Sequence, residues 1–192
     1  MIVVVAGRRI DPPNAAATRF PIRSRGVVAR RIKNTLRDLH VTTLVSSAAC
    51  GSDLLAINAA RALNARRRIV LPYQEDWFLE DSVTDRPGRW EDLYEQVISE
   101  ARGDGDLVIL GERRGSDDAY RAANEAILAE AQRLAREESP DNPGAALAGL
   151  IIWEGASRGP GDVTDHMRQR LEAAGATIAT VLTTPAATSA AI

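Results

Sequence analysis

The chain has 192 residues, 24 Lys and Arg against 26 Asp and Glu, a net charge of −2, and 45% hydrophobic residues. That length suits one α/β domain, or at most two small ones, and buries a core that needs neither disulfide nor metal. The balanced charge speaks against a dedicated nucleic-acid-binding protein, where a basic excess is expected.

Ile2–Ala6 is an apolar, β-branched run ending at Gly7, as expected of a strand covered on both faces in a parallel sheet. The opening MIVVVAGRR lacks a basic n-region and a small-residue cleavage site, so it reads as that strand and not as a signal peptide. Arg25–Leu39 carries Val27, Val28, Ile32, Leu36 and Leu39 at helical spacing. Val41–Ser46 is a second strand and Gly51–Ala65 a second helix, with Leu55, Ala59, Ala62 and Leu63 along one face. Arg68–Pro72 is a strand ended by proline, Trp90–Ala101 a helix, and Asp106–Leu110 a strand. Ser116–Glu137 is a long helix, opened by Ser116 as a cap. Leu147–Trp153 is a strand, Val163–Ala174 a helix closed by Gly175, and Ala176–Leu182 the last strand. The residues 183–192 read as a disordered tail, and Ser139–Gly144 as a loop. The connection Tyr73–Arg89 is long, and long connections are often functional.

Strands alternating with helices imply crossovers, hence a Rossmann-like doubly wound sheet of about six mostly parallel strands with helices on both faces. Residues 1–182 read as a single such domain, with the strand order expected as 3-2-1-4-5-6. Cys50 stands alone and the two histidines, His40 and His166, lie far apart, so no disulfide and no metal site is expected. No apolar run approaches the roughly 18–20 residues of a membrane span, and the expected location is the cytoplasm.

In such a sheet ligands bind beyond the carboxyl ends of the strands, which nominates particular loops. After the first strand, Gly7 permits a tight turn and Arg8 and Arg9 offer bidentate donors to a phosphate; two solvated arginines are the alternative. The G-x-G-x-x-G fingerprint is absent, which speaks against a standard NAD-dependent dehydrogenase. After the second strand, Cys50, Gly51, Ser52 and Asp53 lead straight into a helix whose first N–H groups would face a ligand. Ser52 or Asp53 is a candidate cap, Asp53 a candidate ribose acceptor, and Cys50 lies where a helix N-terminus lowers a thiol pKa. Packing of a tight joint is the competing explanation. After the fifth strand, Trp153 is followed by Gly159, Pro160, Gly161, Asp162, Thr164 and Asp165, a second candidate phosphate cradle. On the rim stand Pro72, Tyr73, Glu112 and Arg113, the aromatic residues Trp77 and Phe78, and Tyr120 with Asn124 one helical turn apart. Arg8, Arg9, Arg113, Arg114 and Arg158 all fall in loops at this end, the pattern of an anionic small molecule.

The succession VVVAGRRID, SSAACGSDLLAINAA, VLPY, Tyr120 with Asn124, and LIIWEGASRGPGDVTDHM resembles the SLOG superfamily. That superfamily includes the LOG-type phosphoribohydrolases and DNA-processing protein A. It looks closest to bacterial SLOG-like domains that stand beside signalling and anti-phage defence modules. The resemblance covers roughly Met1 to Leu182. It implies a Rossmann-like fold and a site for nucleotides or nucleotide-derived messengers, including ADP-ribose relatives. In LOG-type enzymes a Pro-Gly-Gly-x-Gly-Thr-x-x-Glu stretch holds phosphate and supplies the acid. Here Pro160, Gly161 and Thr164 match it, Asp162 replaces the second glycine, and no glutamate falls at the catalytic position. A nucleotide-binding sensor with no required cofactor is therefore expected. N-glycoside hydrolysis of a nucleotide, with Asp165 or Asp53 as acid/base, is the second reading. A protein-interaction module is the third, with a homodimer or higher oligomer and an effector protein as partners.

Overall fold

In the computed structural model, residues 1–141 and 146–184 are described. Six strands form one parallel sheet: β1 (Ile2–Gly7), β2 (Thr43–Ser46), β3 (Arg66–Leu71), β4 (Leu107–Ile109), β5 (Leu147–Trp153) and β6 (Thr177–Leu182). The helices are α1 (Arg25–Asp38), α2 (Ser52–Arg61), α3 (Glu75–Leu79), α4 (Glu91–Gly103), α5 (Asp117–Glu138) and α6 (Val163–Ala173). The architecture is the Rossmann-like α/β sheet expected from the alternation of strands and helices.

Side chains alternate along each strand, so one run of apolar residues feeds two cores. Val3, Val5, Leu44, Ile69 and Leu71 face α1, α2 and α4. Ile2, Val4, Val45, Val70 and Ile151 face α5 and α6. Double coverage explains why the central strands are apolar without a break: every residue of β5 is buried.

The strand order is β4-β3-β2-β1-β5-β6, which corrects the expected order 3-2-1-4-5-6. β4 adds outside β3, and β5 takes the place beside β1. The short, partly exposed β4 suits an edge and the seven-residue, fully buried β5 suits the centre, while α5, about 33 Å long, packs against β3, β2 and β1 between them. The reversal of strand order thus lies between β1 and β5, and the loops that follow those two strands face each other.

Ser116 does cap α5, accepting from the Ala119 N–H at 3.2 Å, and Gly175 closes α6 with φ of 74°. The long connection after β3 is itself folded: α3 runs into a π-helical turn over Glu80–Thr84. Thr183, expected to open a disordered tail, is instead fixed to the domain. Thr183 is buried, its N–H bonded to Trp153 O at 2.9 Å and its hydroxyl to Arg19 O. Residues 185–192 and 142–145, the latter including the last three positions of the expected Ser139–Gly144 loop, lie outside the described residues.

Candidate functional site

The carboxyl ends of β1, β2 and β5 open into a cleft of about 510 Å³. Its walls come from five places: the connection after β1, the joints before α2 and α6, the segment after β3, and the first turns of α5. Five arginines and two aspartates are among the lining residues: Arg8, Arg9, Arg19, Arg86 and Arg158 with Asp11 and Asp53.

Arg8 is not the open phosphate donor that the sequence suggested. It is 4% exposed and its guanidinium is spent on the protein. Nη1 and Nη2 grip the two Asp162 oxygens at 2.6 and 2.8 Å, Nε meets Glu154 at 2.6 Å, and Nη2 also reaches Ala156 O. Trp153 lies beside this pair, 5.8 Å from Arg8 and 5.7 Å from Arg168, as a buried partner for two cations. Arg9 is the more accessible of the two leading arginines. Among the described residues only its Nη1 is engaged, by Asp81 O at 2.7 Å and Asp85 at 3.0 Å.

The glycine-rich joint after β5 holds an anion already, and it is the protein's own. Asp162 is the N-cap of α6: its Oδ1 accepts from Thr164 N at 3.0 Å and Asp165 N at 3.3 Å, and its Oδ2 from Arg158 N at 2.8 Å. Burial alone would push this carboxyl up. The Arg8 guanidinium and the Arg158 backbone outweigh it and hold the carboxyl well below the ordinary range. The N–H groups that were expected to cradle phosphate are therefore occupied. Gly159 and Gly161 adopt φ of 89° and 88° around this cap, and Pro160 between them is exposed. Asp165 points along the helix. It accepts from Arg168 at 2.8 Å and Gln169 at 3.0 Å, and it is not among the residues lining the cleft. Burial works against its ionisation, but Ser157, Arg168 and Gln169 hold its carboxyl low, so it carries no proton to donate near neutral pH.

The joint after β2 is built differently. Gly51, with φ of 93°, is the N-cap of α2, and no side chain caps it, so neither Ser52 nor Asp53 takes the role expected of them. A Cβ at Gly51 would lie 2.9 Å from Arg8 O and Ile10 N, and one at Gly7 would lie 2.4 Å from Ser52 Oγ. These glycines allow the first two loops to touch each other. Ser52 ties the contact, its hydroxyl donating to Arg8 O at 2.7 Å. Asp53 lines the cleft, half-buried, and among the described residues accepts only from Ala49 N at 3.2 Å. Burial pushes its carboxyl up to about 7, against the pull of that N–H and of Arg9. Cys50 is fully buried, and burial pushes its thiol up to about 11, the reverse of the lowering expected beside a helix N-terminus.

Tyr120 and Asn124 share the cleft wall, as their one-turn spacing implied. Asn124 donates to Val163 O at 2.8 Å, joining α5 to the start of α6. Tyr120 meets Tyr73 Oη at 2.8 Å and Ser82 Oγ at 3.2 Å, and Tyr73 in turn donates to Asp81 at 3.2 Å. Phe78 is a buried part of the wall, whereas Trp77 is exposed beneath Arg114. Pro72, Glu112, Arg113 and Arg114 fall outside the lining; Arg114 pairs with Glu80 and Asp81. Pro72 O holds the Glu112 N–H at 2.8 Å.

Three contributors were not read from the sequence. Arg19 closes the connection after β1, its backbone N–H held by the Asp11 carboxylate at 3.0 Å. Arg86 lies in the long segment after β3, which only its length marked. Ser47 supplies a hydroxyl that lacks a hydrogen-bond partner among the described residues.

No protein-family model matches the chain, and no curated protein matches it. Among solved structures it is similar to DNA processing protein A from Streptococcus pneumoniae, at 18% identity and a TM-score of 0.46, over 92% of this chain and 57% of that one. The chain spans a little over half the length of that protein. Among the described residues no helix is long and apolar enough to cross a membrane, and no cluster of His, Cys, Asp or Glu has the makings of a metal site.

Proposed function

We propose that the protein binds a nucleotide or a nucleotide-derived messenger in the cleft beyond β1, β2 and β5, as the sensing domain of a signalling or defence system. The observation that carries this reading is the pairing of arginines with apolar wall in one cleft at the reversal of strand order. Arg9, Arg19, Arg86 and Arg158 line it and keep guanidinium nitrogens unpaired among the described residues. Ala15, Ala16, Ala17, Phe78 and Ala123 supply flat apolar surface for a base. The SLOG-like succession of motifs points to the same ligand class. The phosphate of that ligand would meet the remaining guanidinium N–H groups of these ion-paired arginines, since Asp162 fills the start of α6. A panel of nucleoside phosphates and ADP-ribose isomers tests the reading. A raised melting temperature with intact recovered ligand supports it, and no stabilisation by any member overturns it.

A second reading is hydrolysis of an N-glycosidic bond, and Asp53 favours it. A carboxyl that exchanges its proton near pH 7 inside a ligand cleft is matched to general acid catalysis. Water adds to the ribosyl carbon, the bond to the base breaks, and Asp53 protonates the leaving nitrogen. Free base released by the wild-type chain, lost in Asp53→Asn and retained in Asp165→Asn, is the expected result. No base after prolonged incubation at high enzyme concentration removes this reading for the substrates tried.

A further inference from the structure

We infer that Tyr120 selects a neutral hydrogen-bond donor on the ligand, a hydroxyl or an amine, and turns away acceptor oxygens such as those of a phosphate; this rests on the nucleotide reading above and deepens it. Four side chains form one hydrogen-bonded chain: Ser82, Tyr120, Tyr73 and Asp81, with neighbouring oxygens 3.2, 2.8 and 3.2 Å apart in that order. Its far end is fixed by charge. Asp81 accepts from Arg114, Oδ1 at 2.7 Å and Oδ2 at 2.9 Å, and that guanidinium holds the carboxyl below its ordinary range. Glu80 shares Arg114 at 2.6 Å, and Arg9 reaches only the Asp81 backbone carbonyl, so neither changes the state of the Asp81 carboxylate as an acceptor.

An ionised carboxylate only accepts, so the Tyr73 hydroxyl donates to Asp81. A phenol has one proton to give. With the Tyr73 proton on Asp81, the 2.8 Å contact is a hydrogen bond only if Tyr120 donates to Tyr73. The Tyr120 proton is then committed too, and Ser82 donates to Tyr120. The opposite order would set Tyr73 lone pairs against the Asp81 carboxylate at 3.2 Å. Burial, the Tyr120 hydroxyl and the Asp81 charge all push the Tyr73 phenol up, so it keeps its proton.

The other end of the chain lies at the cleft. Tyr73 is buried and stands outside the lining, whereas Tyr120 and Ser82, the two ends of one hydrogen bond, both line it. The Tyr120 oxygen accepts from Ser82, keeps a second lone pair, and has no proton left. Any ligand atom within hydrogen-bond distance of it must therefore bring the proton. A phosphate oxygen there would set two acceptors against each other away from water, which costs binding. The Ser82 carbonyl accepts from the Cys50 N–H at 2.9 Å, which fastens this end of the chain to the joint that carries Ser47 and Asp53. The Ser47 hydroxyl has no partner among the described residues and can donate or accept. A ribose hydroxyl or a base amine fits such neighbours.

Calorimetric titration of the full chain with adenosine 5′-monophosphate tests the assignment against analogues that each lack one donor. These are the 2′-deoxy and 3′-deoxy nucleotides and purine riboside 5′-monophosphate, which lacks the amine. The guanosine series repeats it, with inosine 5′-monophosphate as the analogue without the amine. One analogue is expected to bind about tenfold or more weakly than its parent, and which one it is places the donor on the sugar or the base. Tyr120→Phe should bind that analogue and the parent within about twofold of each other. Tyr73→Phe frees the Tyr120 proton, and should shrink the difference to about threefold or less with the Tyr120 ring still in place. Thermal melts without ligand report whether both variants fold. Equal binding of the parent and all its analogues overturns the role of Tyr120 and leaves the nucleotide reading standing. A difference that persists unchanged in either variant also overturns it. Binding of no nucleoside phosphate at all removes both.

Discussion

The joints after β2 and after β5 begin from the same materials and reach opposite electrostatic states. Each is a strand followed by a loop rich in small residues, with a glycine of positive φ, and then a helix with an aspartate at its start. In the joint after β5 the aspartate is the cap itself. It collects three backbone N–H groups and a buried guanidinium, so it stays ionised and the helix start is closed to other anions. In the joint after β2 glycine holds the cap position, and Asp53 stands two residues further on. It receives one N–H and a distant arginine, so burial prevails. An aspartate at a helix start is thus a structural plug or a titrating group according to how many donors face it.

The largest expected effect breaks the β5 side. Arg8→Met leaves Asp162 buried without its partner and should destabilise the fold by about 3–5 kcal/mol in urea unfolding. Asp162→Asn keeps a good cap but removes the charge from the pair with Arg8, and should cost about 2 kcal/mol. Its penalty also has a pH signature. A carboxyl held low contributes stability that is full above its ordinary value, near 3.9, and is lost as pH falls through the folded value. Wild-type and Asp162→Asn stabilities should therefore converge only in strong acid.

Asp53→Asn should act in the opposite sense. A carboxyl raised to about 7 is harder to ionise in the folded chain, so folding stability falls as pH rises from about 4 to 7. Asparagine removes that loss, and the variant should be more stable than wild type by about 1–2 kcal/mol at pH 8, with no advantage below pH 4. A stabilising substitution that abolishes ligand binding or turnover would mark Asp53 as held in a costly state for function. Equal pH profiles for the two proteins would erase the contrast between the joints. The smallest effect concerns Cys50. With its thiol buried and raised to about 11, it should react with a disulfide reagent at pH 8 only as fast as the fold opens.

Most of the architecture was legible because it depends on local pattern. The doubly covered strands announced themselves as unbroken apolar runs, and Ser116 and Gly175 marked helix ends correctly. The strand order was not read from the pattern, although the short run of β4 and the long unbroken run of β5 differ as an edge strand differs from a central one. The site was legible as a set of loops but not as a set of contacts. The sequence put Arg8 and Asp162 at the same end of the sheet, yet only their 154-residue closure into one ion pair reveals that they satisfy each other. Arg19 and Arg86 escaped for a related reason: neither sits in a glycine-rich joint, and both gain their place from the folding of long connections.

The placement of β5 beside β1 also sets the order in which the protein can be made. Strands β1 to β4 succeed one another along the sheet and can pair as the chain leaves the ribosome. The other neighbour of β1 comes much later, since Ile2 pairs with Leu147, 145 residues on. Until β5 arrives, one edge of β1 is open and the flank formed by Glu154, Arg158 and Asp162 does not exist. Late closure of this kind slows folding and exposes an apolar edge during synthesis. A growing or truncated chain can thus hold most of its sheet and still lack the wall of the cleft that the joint before α6 supplies.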